Sequence, residues 1–219
     1  MNAKRFVLWG SAGHAKVLAD LIRLRRGRVE ALFDNNPGAR SCLPGVPIYH
    51  GREGFISWLE QHSNDAEIFA VIAIGTIDKD SRLIIASYMQ KYGLKMISLI
   101  HPTASVSHTS SIGFGCQVLA NSVVAADVAI GNLCILNNSC NVDHECIIGD
   151  NVHVAPGAVL CGCINIGKNV MIGAGAVILP RISIGNDSII GAGSVVTNDV
   201  KSNEIVAGNP AKIIRTKND

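Results

Sequence analysis

One short segment of the chain, NVDHECIIGDNVHVAPG at residues 141–157, contains three side chains that could take part in acid–base chemistry. His144 is followed at once by Glu145, and a second imidazole, His153, comes nine residues after the first. A carboxylate beside an imidazole stabilises its protonated form and so makes it a stronger general base. His144 is therefore a candidate general base, and His153 is a candidate donor to a carbonyl oxygen.

A strict six-residue repeat surrounds this segment. Stepping by six from Ile100 to Val196 gives seventeen consecutive aliphatic residues, and the positions four residues later are all small or aliphatic. This pattern predicts a hexapeptide-repeat parallel β-helix of between five and six coils, with three hexads to a coil of 18 residues. The aliphatic series should point inward, and the second series must be small because the triangular interior is narrow. Cysteine acts there as a small hydrophobe, and the four cysteines of this second series are Cys116, Cys134, Cys140 and Cys146.

The 18-residue coil predicts which residues stack on each other, about 4.8 Å apart. His144 should stack on Gly162, whose amide could approach a reacting carbonyl and stabilise an oxyanion. His153 lies half a coil away from His144, on a different side of the triangle. If both histidines serve one site, that site lies between two subunits, as it would in a homotrimer. These groups together suit acyl transfer from a thioester to an amine or a hydroxyl.

The N-terminal half alternates strands and helices. Strands are predicted at RFVLWG, VEALFDNN, EIFAVIAIG and MISLI, with helices at SAGHAKVLADLIRLRRG, ending at Gly27, and at DKDSRLIIASYMQKYG. Such alternation predicts a small parallel α/β sheet of the Rossmann-like kind. We therefore expect two domains, a Rossmann-like one at residues 1–100 and a β-helix at residues 101–219.

The turn WGSAGHAK, between the first strand and the first helix, is a candidate phosphate site. Its glycines, Gly10 and Gly13, leave backbone N–H groups free at a helix N-terminus, although GxxG is a weaker signal than GxGxxG. Asp34 ends the second strand where a Rossmann-like domain reads a ribose or base, and Gly75 follows the next long strand. Because the sheet is small, a mononucleotide is a more plausible ligand than NAD.

Composition excludes several classes of protein. The 219 residues are 48% hydrophobic and 16% charged, with a net charge of +2 and no long basic run, so neither disorder nor a nucleic-acid partner is expected. No apolar stretch reaches the ~20 residues of a membrane span, and the N-terminus lacks a cleavage-site pattern. We expect a soluble cytoplasmic protein with no membrane partner, whose seven cysteines do not form a disulfide framework.

The segment HECIIGDNVHVAPGAVLCG, residues 144–162, resembles the active-site segment of bacterial nucleotide-sugar N-acetyltransferases of the left-handed β-helix family. These are the PglD-type enzymes of bacillosamine synthesis, with sialic-acid O-acetyltransferase relatives of the NeuD type. The resemblance implies a left-handed β-helix in which His144 is the base and Glu145 orients it. It also implies that His153 contacts acetyl-CoA, that the Gly162 amide helps bind the thioester carbonyl, and that Asn137 lines the site.

The same resemblance implies where both substrates bind. The pantetheine arm of acetyl-CoA would run past Ala174 and Ala192, in GAGA and GAGS. The segment AGNPAKII resembles the closing motif of CoA-dependent hexapeptide transferases, and its Lys212 could meet a CoA phosphate. The N-terminal domain would hold the UDP part of a sugar nucleotide. The positions that match the family there are Ala12, Gly13, His14, Asp34, Asn35, Gly75 and Thr76.

We therefore expect an acetyl-CoA-dependent N-acetyltransferase, without a metal, acting on a UDP-linked 4-amino-4,6-dideoxy sugar for bacterial surface glycan or glycoprotein synthesis. Transfer should be direct, in a ternary complex, although Cys161 and Cys163 flank Gly162 and leave an acyl-cysteine route open. O-acetylation of sialic acid or another sugar hydroxyl is the nearest alternative, and an inactive nucleotide-sugar-binding scaffold is another. A zinc enzyme of the γ-carbonic anhydrase type is a remote alternative, because Gly149 stands where a ligand would be needed.

Overall fold

The computed structural model describes residues 3–62, 67–75 and 81–216. An N-terminal unit ends at Ile97, and a C-terminal unit begins at Ser98. No helix within the described residues is both long and apolar enough to cross a bilayer.

The N-terminal unit is a five-stranded parallel sheet with helices. Its elements in chain order are β1 (Lys4–Trp9), α1 (Gly13–Leu24), β2 (Gly27–Asp34), β3 (Ile48–His50), α2 (Gly51–His62), β4 (Ile68–Ile72), α3 (Ser81–Lys91) and β5 (Lys95–Met96). The sheet order is β3-β2-β1-β4-β5, and every neighbouring pair is parallel. The central strands β1 and β4 are almost entirely buried apolar runs, as strands covered on both faces require. Strand order reverses between β1 and β4, and ligands of such sheets bind in the crevice beyond the carboxyl ends at this point.

The sequence prediction for this unit was wrong in three places. Helix α1 ends at Leu24 rather than at Gly27, because Gly27 already begins β2. A side chain at Gly27 would lie 2.5 Å from the Phe6 ring, so this strand start requires close approach of the backbone. Strand β3 and helix α2 were not predicted. The segment MISLI is not one strand, because β5 ends at Met96 and the next strand, Leu99–Ile100, pairs inside the β-helix.

The C-terminal unit contains seventeen two-residue strands that follow the hexapeptide register. They are β6 (Leu99–Ile100), β7 (Ser105–Val106), β8 (Ser111–Ile112), β9 (Gln117–Val118), β10 (Val123–Val124), β11 (Ala129–Ile130), β12 (Ile135–Leu136), β13 (Asn141–Val142), β14 (Ile147–Ile148), β15 (His153–Val154), β16 (Val159–Leu160), β17 (Asn165–Ile166), β18 (Met171–Ile172), β19 (Val177–Ile178), β20 (Ser183–Ile184), β21 (Ile189–Ile190) and β22 (Val195–Val196). Each pairs in parallel with the strand 18 residues away, as His153 of β15 does with Ile135 and Met171. The coil length predicted from the sequence is therefore the observed one.

Three parallel sheets form the sides of the β-helix. The first sheet runs from β6 through β9, β12, β15, β18 and β21; the second starts at β7 and the third at β8. An antiparallel hairpin of β23 (Glu204–Gly208) and β24 (Ala211–Thr216) extends the first sheet at its end. This hairpin was not predicted from the sequence.

The interior is packed by the two predicted columns. The second residue of nearly every strand is buried, and the four cysteines of the small column are fully buried. Three of their thiols also donate to carbonyl oxygens 15 residues ahead: Cys116 to Gly131, Cys134 to Gly149 and Cys146 to Cys161. The seven cysteines are all free thiols.

Candidate active site

His144 lies in the turn between β13 and β14, at the corner where the second sheet meets the third. Its ring nitrogen Nδ1 is 2.9 Å from Oε2 of Glu145, and its backbone N–H donates to Asp143 at 2.7 Å. Glu145 has a φ of 59°, the left-handed conformation that the equivalent residue adopts in most turns of the β-helix. With a proton on Nδ1 shared with the carboxylate, the Nε2 lone pair is left available as a base.

Gly162 lies directly beneath the His144 ring, one coil along the β-helix. A side chain at residue 162 would place its Cβ 2.5 Å from Nε2 of His144, so the imidazole occupies the space that any other residue would fill. The Gly162 N–H donates to no acceptor among the described residues, whereas its carbonyl accepts from Arg181 at 3.1 Å. This corner therefore combines an imidazole nitrogen with a backbone N–H that has no acceptor among the described residues.

The Glu145 carboxylate also receives a second contact, which the sequence analysis did not predict. The Sγ of Cys163 is 3.7 Å from Oε2, the same oxygen that faces His144. The hydrogen bond from His144, then that from Cys163, hold the pKa of Glu145 below its usual value. Glu145 thus remains a carboxylate at neutral pH. The 18-residue spacing that pairs His144 with Gly162 also pairs Glu145 with Cys163, so the signal was present in the sequence.

His153 and Asn137 form a second polar pair on another side of the β-helix. His153 begins β15, in the first sheet, and is 6% exposed. Its Nε2 is 3.1 Å from Nδ2 of Asn137, which follows β12 in the same sheet. The Asn137 Oδ1 in turn accepts from the Asn138 backbone at 2.8 Å. Because His144 lies at the corner of the other two sheets, the histidines of one chain do not meet.

Ala174 and Ala192 lie one above the other where the first sheet meets the second. Each follows a strand of the first sheet, β18 or β21, and the Gly193 N–H donates to the Ala174 carbonyl at 2.8 Å across the coils. Lys212 lies on β24, paired with Ala207, and is exposed. It lines a cavity of about 320 Å³ at the C-terminal end of the β-helix. The residues predicted for acetyl-CoA therefore all lie on the first sheet or along its border.

The residues predicted for a nucleotide gather at the carboxyl ends of β1, β2 and β4. Gly10 has a φ of 115° and lies so close to Ala73 of the β4 end that a side chain there would collide with its carbonyl. Ala12 is the N-cap of α1, and its side chain makes no capping hydrogen bond. The N-terminus of α1 follows the carboxyl end of β1, which borders the switch point of the sheet, where a phosphate site is expected.

Asp34 has a structural partner that the sequence analysis missed. Ser11 donates its hydroxyl to Oδ2 of Asp34 at 2.6 Å and its backbone N–H to the same oxygen at 3.0 Å. The Asn36 N–H binds the other oxygen at 3.0 Å. The carboxylate therefore fixes the β1–α1 turn to the end of β2, in addition to any contact with a ligand.

The remaining nucleotide candidates are placed as follows. Gly75 is in ordinary contact distance of His14, since a Cβ there would lie 3.6 Å from the His14 ring. Asn35 is exposed beside Asp34. Thr76 lies outside the described residues.

Comparison with known proteins identifies both halves of the chain. Residues 5–88 match the family model of the PglD N-terminal domain, and residues 163–198 match the bacterial transferase hexapeptide model of six repeats. A mutant of perosamine N-acetyltransferase from Caulobacter crescentus, solved with CoA and GDP-perosamine, is 32% identical, covers 98% of each chain and has a TM-score of 0.87. The acetyltransferase domain of PglB from Neisseria gonorrhoeae, solved with acetyl coenzyme A, is 30% identical over 97% of this chain and 100% of that one, with a TM-score of 0.84.

A third structure, WeeI from Acinetobacter baumannii, is 27% identical over 97% of this chain and 100% of its own, with a TM-score of 0.84. The predicted fold class, a Rossmann-like parallel sheet followed by a left-handed parallel β-helix, is confirmed by these matches together with the observed strand order. The chain therefore belongs to the hexapeptide-repeat nucleotide-sugar N-acetyltransferases of the PglD type, and it is an acyltransferase.

Proposed function

We propose that this protein transfers the acetyl group of acetyl-CoA to the amine of a UDP-linked 4-amino-4,6-dideoxy sugar. The observation that carries the proposal is the arrangement at residue 144, where the imidazole is held by a carboxylate on one side and lies against a side-chain-free backbone N–H donor on the other. The perosamine enzyme, related over nearly the whole chain, was solved with CoA and GDP-perosamine, which supports a nucleotide-linked amino sugar as the acceptor class.

The reaction can be described by which groups at this corner accept and donate protons. Nε2 of His144 accepts a proton from the sugar amine as its nitrogen attacks the thioester carbonyl. The carbonyl oxygen gains negative charge, which the Gly162 N–H stabilises. Glu145 stabilises the imidazolium through Nδ1. When the intermediate collapses, the carbon–sulfur bond breaks and the thiolate of CoA takes the proton from His144.

The separation of the two histidines supports a trimeric site. His144 and Gly162 lie at one corner of the β-helix, and His153 and Asn137 lie on the opposite sheet. A homotrimer with parallel helix axes would bring the His144 corner of one subunit to the His153 sheet of the next. Acetyl-CoA would then lie along the first sheet past Ala174 and Ala192, with Lys212 near a CoA phosphate.

The N-terminal unit would hold the nucleotide. The N-terminus of α1, where no side chain of Ala12 caps the helix, suits a diphosphate, and Asp34, Asn35, His14 and Gly75 would surround the ribose and base. The small sheet supports one nucleotide rather than a dinucleotide. Uridine is the base that we propose, and guanosine, the base in the perosamine complex, is the competitor to test.

A CoA-release assay with matched acceptors tests the proposal. Acetyl-CoA is supplied with UDP- and GDP-linked 4-amino sugars and with free sialic acid, and wild type is compared with His144→Ala. We expect release with a UDP-amino sugar and a loss of kcat of about 10²–10⁴-fold in the variant, the usual contribution of a general base. Release only with the GDP sugar would refute the choice of base, release only with sialic acid would establish O-acetylation, and an unchanged variant would remove His144 from the chemistry.

A further inference from the structure

Three atoms of the kinds that bind zinc in proteins lie together at the His144 corner. A ring nitrogen of His144, a carboxylate oxygen of Glu145 and the thiol of Cys163 all lie within 4.8 Å of one another. Oxygen Oε2 of Glu145 is 2.9 Å from Nδ1 and 3.7 Å from Sγ. Zinc bonds of ~2.0 Å to nitrogen and oxygen and ~2.3 Å to sulfur place the ligands of a tetrahedral ion about 3.3–3.5 Å apart when one of them is sulfur. Small side-chain rotations would therefore bring the three atoms onto one ion.

At this corner a hydrogen bond joins the backbones of two coils, and the side chains of His144 and Glu145 are exposed. The Cys163 N–H donates to the His144 carbonyl at 2.9 Å, which fixes the two coils against each other. The side chains of His144 and Glu145 are 52% and 62% exposed, so they can rotate without disturbing the packed interior. The backbone thus holds the ligand residues in place before an ion arrives, and the open side leaves room for a water as the fourth ligand.

We propose that His144, Glu145 and Cys163 form an inhibitory site for a soft divalent cation such as Zn²⁺ or Cd²⁺. A neutral imidazole, a carboxylate and a thiolate are the three ligand types of zinc sites that keep one coordination position open. Two negative charges, from the carboxylate and the thiolate, balance the charge of the ion. Arg181, whose charge acts on Glu145, is the cation nearby that opposes binding.

The inhibition follows from where the protons go. On binding, the Cys163 thiol releases one proton to solvent as the metal–sulfur bond forms. The metal takes the Nδ1 lone pair of His144, so the single proton of the neutral ring must be on Nε2. An Nε2 that already carries a proton cannot accept one from the sugar amine. Binding therefore removes the base without unfolding the protein, and nothing is oxidised or reduced.

A cadmium titration tests the binding site without any substrate. Full-length wild type, Cys163→Ser and the matched control Cys161→Ser are titrated with Cd²⁺, and the thiolate-to-cadmium charge-transfer band in the ultraviolet is recorded. Cys161 is the control because it is two residues away, is also partly accessible and is not one of the clustered ligands. We expect a band that saturates near one equivalent in wild type and in the control and is lost in Cys163→Ser. An undiminished band in Cys163→Ser, or its loss in the control instead, would overturn the site.

The inhibitory effect rests on the proposed function and is tested separately. Initial rates are followed by chromatography of the acetylated nucleotide sugar, because thiol reagents would bind the metal, and each variant is normalised to its own rate without metal. We expect the same Zn²⁺ concentration to inhibit wild type and Cys161→Ser by half. Cys163→Ser should need a concentration at least about ten-fold higher, because even the loss of a residue outside the ligand set weakens metal binding by that much. Chelation should restore the rate. Equal sensitivity of all three proteins would refute the inhibitory role, whereas absence of turnover with every acceptor would count against the proposed function and leave the cadmium result to decide the site.

Discussion

Replacing Gly162 by alanine should disable the proposed base, His144, while leaving the fold intact. The new Cβ would lie 2.5 Å from Nε2 of His144, where ordinary contact begins at 3.4 Å, so the ring must move by about 1 Å. The ring is the far end of a half-exposed side chain, so it can swing towards solvent at little cost. The φ angle of Gly162 is not in the left-handed region. Alanine is therefore compatible with the backbone and should change the free energy of unfolding by no more than about 1 kcal/mol.

The catalytic effect should be much larger. A displacement of about 1 Å at the reacting centre costs on the order of 10²-fold in rate, and the displaced ring also loses its 2.9 Å contact with Glu145. We expect kcat to fall by about 10²-fold with the KM for the nucleotide sugar unchanged, because the N-terminal unit is untouched. Steady-state kinetics and thermal unfolding measure the two effects separately.

Gly149→Ala is the matched control in the same β-helix. Its Cβ would lie 2.8 Å from the backbone of Gly167, which cannot move aside, so this variant should lose thermal stability. A Gly162→Ala protein with wild-type kcat would refute the reasoning, because it would mean that the position of the His144 ring does not matter. A large loss of stability in Gly162→Ala would refute the claim that the ring is free to move.

Three further predictions concern the rest of the molecule. Ser11→Ala removes the 2.6 Å hydrogen bond to Asp34. In steady-state kinetics, the KM for the nucleotide sugar should rise with little change in the KM for acetyl-CoA. Equal changes in both KM values would contradict a role of this bond in nucleotide-sugar binding alone. In the native protein, a thiol reagent should label Cys42, Cys161 and Cys163 but not the four buried cysteines. Burial shields all four from the reagent, and it raises the pKa of Cys140 to about 12. Mass spectrometry before and after unfolding counts the labelled cysteines. Glu30→Gln should lower the free energy of unfolding at pH 7 by about 1–3 kcal/mol, the value of a hydrogen bond to a charged group, because Arg5 lies 2.7 Å from this carboxylate and lowers its pKa. A lowered folded pKa means that this stabilisation is complete above the usual value of 4.5 and is lost as the pH falls through the folded pKa, so the two proteins should converge in acid-unfolding curves.

The β-helix could be predicted residue by residue because its packing constraint repeats. Each position of the first series must be aliphatic and each position of the second small or aliphatic, so the sequence itself carries the register, and the stacking of His144 on Gly162 followed from it. The same spacing placed Cys163 under Glu145. Residue types alone do not indicate that contact, because a cysteine beside a glycine in a turn is equally consistent with a nucleophile.

The N-terminal unit was predicted less well because its constraints do not repeat. Strand β3 has three residues, all only half-buried, and gives no alternating pattern. Helix α2 buries only Phe55 and Trp58, so its periodicity is faint. The bond between Ser11 and Asp34 joins the ends of two adjacent strands, and strand ends alone do not indicate which side chains meet.

This contrast has a functional consequence. The proposed acyl chemistry depends on neighbours one coil apart, and a one-residue insertion in the repeat would turn every inward side chain out of register. The proposed nucleotide contacts depend on turns at strand ends, where a side chain can change without altering the sheet. A family built in this way can exchange one nucleotide sugar for another in the N-terminal unit while His144, Glu145 and Gly162 stay fixed. The hexapeptide repeat therefore does not determine which sugar is the acceptor, and the assay with a panel of acceptors must identify it.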